Sequence, residues 1–244
     1  MAATAPLKFL TVAAKAKHTA TVIFVHGLGD SGAGWKPVAE MLGQDPKLRH
    51  VKWILPHAPS IPVTANFGME MPSWFDIANF DWKPPEDEQG MNKTANLLRQ
   101  LIADEVKEGI PSERIVLGGF SQGGAMTLLT SLTTEKKFGG LVVLSAWLPL
   151  AQKWASDPAA VKNTSFTKTP LFWAHGEADP LIPIAIAKRS TEAVKSTLGV
   201  TDATKDSLVG LTFRTYPGMQ HSTCMEELTH LLEWLGSVVP PETS

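Results

Sequence analysis

The chain has 244 residues, of which 43% are hydrophobic, and this is enough for one globular domain that buries about 70–75% of its unfolded surface. Its 22 lysine and arginine residues against 24 acidic residues give a formal net charge of −2, which leaves no basic footprint for a nucleic-acid partner. A single cysteine excludes an internal disulfide, and no CxxC or HExxH spacing indicates a metal site. No secretory signal indicates secretion, and no long apolar run indicates a membrane-spanning segment.

Short apolar runs alternate with helix-length runs along the whole chain, without a linker or an internal repeat. Strands are predicted near residues 21–25, 51–55, 114–118, 140–145, 170–175 and 211–216, with residues 8–12 as an antiparallel edge strand. Helices are predicted near residues 35–43, 91–108, 122–133, 185–198 and 224–237. The alternation predicts an α/β fold with helices on both faces of a mostly parallel sheet. We expect a single domain over residues 1–244, with a core at about 20–238 and no large lid.

A glycine-rich loop follows the strand that ends at Val25. Residues 27–32 match GxGxxG between a strand and a helix, which is the fingerprint of a dinucleotide-binding oxidoreductase. Such a site also needs an acidic residue near the end of the second strand to hold the ribose. Here that strand ends in Pro56 and His57, with no carboxylate, so the sequence disfavours the oxidoreductase and we expect no cofactor.

Residues 60–88 form the longest segment without clear periodicity, and long loops in compact domains are often functional. The segment is rich in apolar side chains, namely Phe67, Met69, Met71, Trp74, Phe75, Ile77, Phe80 and Trp82. These side chains can form the walls of a channel for an apolar substrate, although packing of the loop over the sheet is an equal alternative. Our candidates for the channel walls are Met69, Trp74, Phe75 and Ile77, with Trp147 and Leu148 from another strand end.

Residues 119–123 read Gly-Phe-Ser-Gln-Gly and match GxSxG between a predicted strand and a predicted helix. This context favours a nucleophile elbow, because the glycines relieve crowding at a strained turn and the helix start supplies free N–H groups. The sequence therefore predicts Ser121 as a nucleophile. An acyl-transfer serine also needs donors for the developing oxyanion. We expect these to be the backbone N–H groups of Gln122 and of Leu28, on the loop after the first buried strand.

The acid and the base follow the serine in the order that α/β-hydrolases use. Asp179 comes just after the strand at residues 170–175, at the carboxyl edge of the sheet, and is the predicted orienting acid. Glu177, two residues earlier, is the alternative acid. His221 follows the last predicted strand, on the same edge. It is the predicted base, which takes the proton from Ser121 while Asp179 holds its other ring nitrogen.

The remaining histidines and the cysteine have simpler interpretations. His26 and His175 each end an apolar strand before a glycine, which is typical of a hydrogen-bonded turn residue. His230 falls within the last predicted helix. Cys224 lies at the start of that helix and is interpreted as a small packed residue rather than as a second nucleophile.

Taken together, these segments closely resemble the acyl-protein thioesterase and lysophospholipase-like carboxylesterase family of α/β-hydrolases. The motifs that carry the resemblance occupy residues 26–30, 56–59, 71–76, 118–124, 144–149, 179–180 and 221–222. The resemblance covers about residues 20–238. It implies a triad of Ser121, Asp179 and His221, oxyanion donors at Leu28 and Gln122, and removal of long acyl chains from protein cysteines as the function.

Two hydrolase functions remain open, because both use one triad and one oxyanion site. The first is the cleavage of long-chain acyl thioesters on S-acylated proteins, with some action on lysophospholipids or simple esters. The second is a small-ester carboxylesterase without protein substrates. Members of the family can carry a cysteine near the N-terminus for their own acylation, whereas this chain begins with Met1 and Ala2. We expect at most transient contact with a membrane surface, a cytoplasmic or also nuclear location, and a monomer or weak homodimer.

Overall fold

The computed structural model describes residues 6–80 and 85–242. Its strands are β1 (Phe9–Val12), β2 (Ala20–Val25), β3 (Val51–Pro56), β4 (Ser60–Val63), β5 (Met69–Pro72), β6 (Ile115–Phe120), β7 (Gly140–Leu144), β8 (Pro170–Gly176) and β9 (Gly210–Tyr216). One sheet has the order β1-β3-β2-β6-β7-β8-β9. In this sheet β1 is antiparallel to β3, and the other neighbours pair in parallel. The predicted strands and the antiparallel edge strand are thereby confirmed.

Helices cover both faces of this sheet, as the sequence predicts. They are α1 (Gly32–Leu42), α2 (Glu88–Lys107), α3 (Gln122–Leu132), α4 (Ala151–Ser156), α5 (Ile184–Ser196) and α6 (Met225–Val238). One core cluster holds apolar side chains of α2, α3 and α5, and a second cluster holds those of α1 and α6. The central strands are buried on both sides, which explains why β2 and β7 have no alternating polar positions. Among the described residues, no helix is long and apolar enough to cross a membrane.

The structure adds elements that the sequence did not predict. Within the segment without periodicity, β4 and β5 form an antiparallel hairpin in which Val63 pairs with Met69. Each strand has only four residues, and the left-handed backbone of Phe67 and Gly68 makes the turn between them. Helix α4 has six residues, too few for a helical period to be read. Trp82 lies outside the described residues.

Helix α6 carries a buried carboxyl group in its first turn. The side chain of Glu227 is fully buried, and neither of its oxygens has a hydrogen-bond partner among the described residues. Its backbone N–H donates to the sulfur of Cys224, which caps the helix and is partly buried, as expected for a packed cysteine. Burial raises the pKa of the Glu227 carboxyl from 4.5 to about 8, because an apolar environment disfavours the charged form.

We expect Glu227→Gln to make the stability of the protein less sensitive to pH. Between pH 4.5 and about 8 the folded protein holds a proton on Glu227 that the unfolded chain has released, so the free energy of unfolding falls as the pH rises. The loss is at most about 1.4 kcal/mol per pH unit, or on the order of 5 kcal/mol over the window. Urea unfolding at pH 5 and pH 8 measures it.

The exposed neighbour Glu226 supplies the matched control, since Glu226→Gln makes the same change of carboxyl to amide without a change in the core. The wild type and the Glu226 variant should lose stability between the two pH values, and the Glu227 variant should lose clearly less. Equal losses in all three proteins would contradict the buried, proton-binding state of Glu227.

Candidate active site

Ser121 lies at the sharp turn between β6 and α3, at the carboxyl edge of the sheet. Its backbone has φ 56° and ψ −121°, an unfavourable conformation that costs on the order of 1–3 kcal/mol. A hydrogen bond from its N–H to the Leu144 carbonyl, at 2.8 Å, holds the turn against β7. The close approach requires glycine nearby, because a Cβ at Gly123 would lie 2.0 Å from the Val25 carbonyl oxygen. The turn thus presents the serine hydroxyl at the first turn of α3, as a nucleophile elbow does.

A chain of hydrogen bonds joins three side chains from three different loops. The Oγ atom of Ser121 lies 2.9 Å from His221 Nε2, and His221 Nδ1 lies 2.8 Å from Asp179 Oδ2. The loops follow β6, β9 and β8, whose carboxyl ends meet at one edge of the sheet. Both distances fall within the range of about 2.6–3.2 Å in which a base activates a nucleophile. With a proton on Nδ1, the imidazole can accept the hydroxyl proton at Nε2.

Asp179 has the environment of an ionised, orienting carboxylate. Its Oδ1 accepts hydrogen bonds from the N–H groups of Leu181 and Ile182, both at 2.9 Å. Burial acts to raise its pKa, but the hydrogen bonds from His221 and from these two amides outweigh burial and leave the pKa below its usual value. The carboxylate therefore keeps its charge beside the imidazole of His221.

Glu177, the alternative acid, lies away from the imidazole. Its side chain is exposed, and its Oε1 accepts a hydrogen bond from the Thr215 hydroxyl at 2.7 Å on the rim of the sheet. The geometry therefore joins Asp179, and not Glu177, to His221.

His26 and His175 are buried turn residues, as the sequence indicates. The Nδ1 of His26 lies 2.7 Å from the Gly27 carbonyl, and its Nε2 accepts the N–H of Ala58 at 3.1 Å. The Nε2 of His175 lies 2.7 Å from the carbonyl of Ile182. Burial lowers the pKa of both imidazoles, so they are neutral groups that hold loops around the site.

The backbone N–H groups of Leu28 and Gln122 are both available to an oxyanion. Gln122 is the first residue of α3, where a helix leaves its N–H without an internal acceptor. Within residues 6–80 and 85–242, neither N–H donates to a protein group.

Two other amides of the glycine-rich loop are occupied. Gly29 donates to the Pro72 carbonyl at 2.8 Å, and Gly32 donates to His57 Nδ1 at 3.2 Å. A pyrophosphate would need these donors, so the loop geometry also disfavours the dinucleotide hypothesis.

The side chain of Gln122 has a role that the sequence did not predict. Its Oε1 accepts the N–H of Trp74 at 2.9 Å, and its Nε2 donates to Ser73 Oγ at 2.9 Å and to the Phe75 carbonyl at 2.8 Å. These bonds fasten residues 73–75 to the elbow. They cross 47 to 49 residues of chain, a separation over which no local pattern predicts contact.

A cavity of about 530 Å³ lies on the sheet face that α2 and α5 cover. Its walls include four of the six predicted channel residues, Phe75, Ile77, Trp147 and Leu148. Glu86 lies at this wall, where it accepts hydrogen bonds from the Trp147 indole N–H and from the Leu150 N–H; burial raises its pKa.

Two predicted wall residues lie elsewhere. Trp74 is buried beneath the loop and donates its indole N–H to the carbonyl of His26 at 2.8 Å. Met69 lies on β5 with 58% of its surface exposed. Neither residue lines the cavity.

Comparisons with known proteins identify the family of the chain. The sequence profile of the phospholipase/carboxylesterase family matches residues 8–239. The chain is 47% identical over 235 residues to acyl-protein thioesterase 1 of Cryptococcus neoformans, covering 94% of this chain and 96% of that protein. It is 44% identical over 237 residues to acyl-protein thioesterase 1 of Neurospora crassa, covering 95% and 91%. The crystal structure of Zea mays acyl-protein thioesterase 2 superposes with a TM-score of 0.81 at 29% identity, covering 95% and 99%. The chain belongs to the phospholipase/carboxylesterase family of α/β-hydrolases, which includes these acyl-protein thioesterases.

Proposed function

We propose that this protein is a serine hydrolase that removes long acyl chains from cysteine thioesters of S-acylated proteins, with additional action on lysophospholipids or simple esters. The observation that carries the proposal is the hydrogen-bonded chain of Ser121, His221 and Asp179 at one edge of the sheet, with an apolar cavity of about 530 Å³ in the same fold. The similarity to acyl-protein thioesterases over nearly the whole chain supports the same substrate class.

In the first half of the reaction, His221 Nε2 takes the proton of Ser121 as Oγ attacks the carbonyl carbon of the thioester. The carbonyl oxygen becomes an oxyanion that the N–H groups of Leu28 and Gln122 stabilise, a contribution of about 10²–10³ in rate for one donor. The tetrahedral intermediate then expels the cysteine sulfur, to which His221 gives the proton. The acyl group remains on Ser121 as an ester.

The second half of the reaction repeats these roles with water. His221 takes a proton from the water, whose oxygen attacks the ester carbonyl, and then returns the proton to Ser121 Oγ as the fatty acid leaves. Asp179 stays ionised throughout and stabilises the imidazolium, which agrees with the lowered pKa of its carboxyl.

The cavity supports a long acyl chain over a short one. Its volume lies within the range of about 300–1,000 Å³ that is typical of ligand sites, and aromatic and aliphatic side chains supply most of its walls. Each methylene that leaves water for such a site contributes up to about 0.8 kcal/mol before the ordering of the chain is subtracted. We therefore expect kcat/KM to rise with acyl length until the cavity is filled and to level off beyond that length.

Ala155→Phe tests the cavity as the acyl site, because Ala155 lines it from α4 and its exposed position makes a larger side chain tolerable. We expect the variant to reach its plateau at a shorter acyl length and to lose about tenfold in kcat/KM on the longest thioesters, with little change on acetyl esters. Kinetics on a series of acyl thioesters of increasing length measure the plateau.

Two control variants accompany this test. Ala159→Phe adds the same bulk at an exposed position four residues away that does not line the cavity. Met69→Gln adds polarity on the exposed hairpin. Both controls should keep the wild-type profile. A wild-type optimum at acetyl esters would instead favour the small-ester carboxylesterase. An equal loss of kcat/KM at all acyl lengths in Ala155→Phe would show that the acyl chain does not bind in this cavity.

The same proposal includes the setting in which the enzyme acts. We propose a cytoplasmic or also nuclear protein that contacts membranes transiently and is a monomer or a weak homodimer. Sedimentation at a range of concentrations tests the oligomeric state, and flotation with vesicles that carry an acylated peptide tests the transient contact.

A further inference from the structure

A second cavity, of about 280 Å³, lies beside the candidate active site and shares no wall residue with the acyl cavity. Its walls include Asp30, Gly34, Trp35, Phe120, His221 and Thr223. We call it the Asp30 groove. Trp35 and Phe120 pack with the core cluster of α1 and α6, whereas the acyl cavity lies in the cluster of α2, α3 and α5. The two cavities therefore lie on opposite faces of the sheet.

The chemistry of the proposed reaction assigns the Asp30 groove to the leaving group. His221 must deliver its proton to the departing cysteine sulfur, so that sulfur lies next to Nε2 when the acyl–sulfur bond breaks. His221 lines the Asp30 groove and does not line the acyl cavity. With the acyl chain on one face of the sheet, the polypeptide that carries the cysteine leaves Ser121 along the other face.

The groove contains a carboxylate without a partner. Asp30 is half-buried, and its side chain makes no hydrogen bond or ion pair with any residue in the described ranges 6–80 and 85–242. The nearby cation Lys36 is paired with Glu40 on the same helix. The chain makes room for the carboxylate, because a Cβ at Gly34 would lie 2.2 Å from Asp30 Oδ1.

Aromatic rings form another wall of the groove beside this carboxylate. The rings of Trp35 and Phe120 have centroids 5.5 Å apart, and those of Phe120 and His221 are 4.8 Å apart. A carboxylate next to aromatic faces is suited to a cation, since the carboxylate supplies the opposite charge and the π-faces attract positive charge.

We infer that the Asp30 groove is a binding subsite for a positively charged side chain, lysine or arginine, close to the acylated cysteine of the protein substrate. The inference rests on the proposed function, because it takes the groove as the exit of the leaving polypeptide. It makes Asp30 a residue that determines which acylated proteins are cleaved fastest, while the acyl cavity selects the chain length.

The test uses three S-octanoyl cysteine peptides that are identical except that lysine, glutamine or glutamate flanks the cysteine, with thiol release as the readout. We expect the wild type to prefer the lysine peptide over the glutamine peptide by about three- to tenfold in kcat/KM, as an ion pair plus a cation–π contact implies. The preference should decrease at high salt. Asp30→Asn should bring the two peptides close to equal, and Asp30→Lys should favour the glutamate peptide.

The control is Glu226→Gln, which removes one negative charge from α6 at an exposed residue that does not line the groove. It should keep the wild-type preference. Because each result is a ratio of two peptides on one enzyme, a difference in the amount of folded protein cancels.

The same peptides with an S-acetyl group separate this inference from the proposed function. If octanoyl peptides are poor substrates but the lysine preference persists on acetyl peptides, the groove is supported and the long-chain function fails. No lysine preference in the wild type, or a preference that survives Asp30→Asn, overturns the inference. The inference is also overturned if Asp30→Asn loses kcat/KM only on lysophosphatidylcholine, relative to lysophosphatidylglycerol. That result would assign the groove to a choline headgroup.

Discussion

Ser121→Ala should lower kcat by about 10⁴–10⁶-fold while leaving the fold intact, because the members of a catalytic triad act as a unit and no other group replaces the nucleophile. The side chain of Ser121 hydrogen-bonds only to His221 among the described residues, so its removal costs no contact within the core. Steady-state kinetics on an octanoyl thioester measure the loss, and circular dichroism checks the fold.

A fluorophosphonate probe gives an independent readout of the same assignment. It should label Ser121 in the wild type, and the label should be absent from Ser121→Ala. Ser196→Ala is a suitable control, because this hydroxyl lies on the exposed end of α5 and, among the residues that the structure describes, hydrogen-bonds only to the Glu192 carbonyl. An adduct found by mass spectrometry on another serine, or turnover near the wild-type rate in Ser121→Ala, would refute Ser121 as the nucleophile.

Asp179→Asn should lower kcat by about 10⁴-fold. An asparagine amide can donate a hydrogen to His221 Nδ1, which would leave the proton on Nε2 and remove the acceptor that Ser121 needs. The geometry makes this effect specific, because the carboxylate is 2.8 Å from Nδ1 and its other oxygen is held by two backbone N–H groups. Kinetics on thioester and oxygen-ester substrates of the same acyl length measure the loss in both reactions.

Glu177→Gln is the matched control for this acid. It makes the same change of carboxylate to amide two residues away, at an exposed position where the side chain contacts the Thr215 hydroxyl. We expect kcat to remain close to that of the wild type. The reverse pattern, with a large loss in Glu177→Gln and a small one in Asp179→Asn, would transfer the orienting role to Glu177.

The positions of the three proposed triad residues could be predicted because each follows a local pattern. Ser121 lies in a GxSxG turn, and Asp179 and His221 each follow a short apolar strand. In a parallel sheet the carboxyl ends of the strands meet at one edge, so a residue that directly follows a strand is expected at that edge. The order of acid and base along the chain was predicted from the order that α/β-hydrolases use.

The support of the site could not be predicted in this way. The amide of Gln122 binds the loop around Ser73 and Phe75 through contacts between segments nearly 50 residues apart. In the sequence, a glutamine after the nucleophile indicates only the start of a helix. The GxSxG motif gives a role to the backbone N–H of this residue but none to its side chain. The hairpin of β4 and β5 was missed because each strand is too short to show a period of two.

The sequence by itself determined the class of fold, the strand ends at which the three proposed triad residues lie, and the family, because these depend on apolar runs and turn residues that act over a few positions. Only the tertiary structure decided which apolar residues form a cavity. Trp74 and Phe75 are neighbours and both apolar, yet Trp74 packs beneath the loop while Phe75 faces the cavity, because the bonds from Gln122 set the orientation of the loop. The unpaired carboxylate of Asp30 also depended on the tertiary structure. Pairing is decided by which cationic side chains the fold brings into contact, and within the described parts of the chain no lysine or arginine forms an ion pair with Asp30.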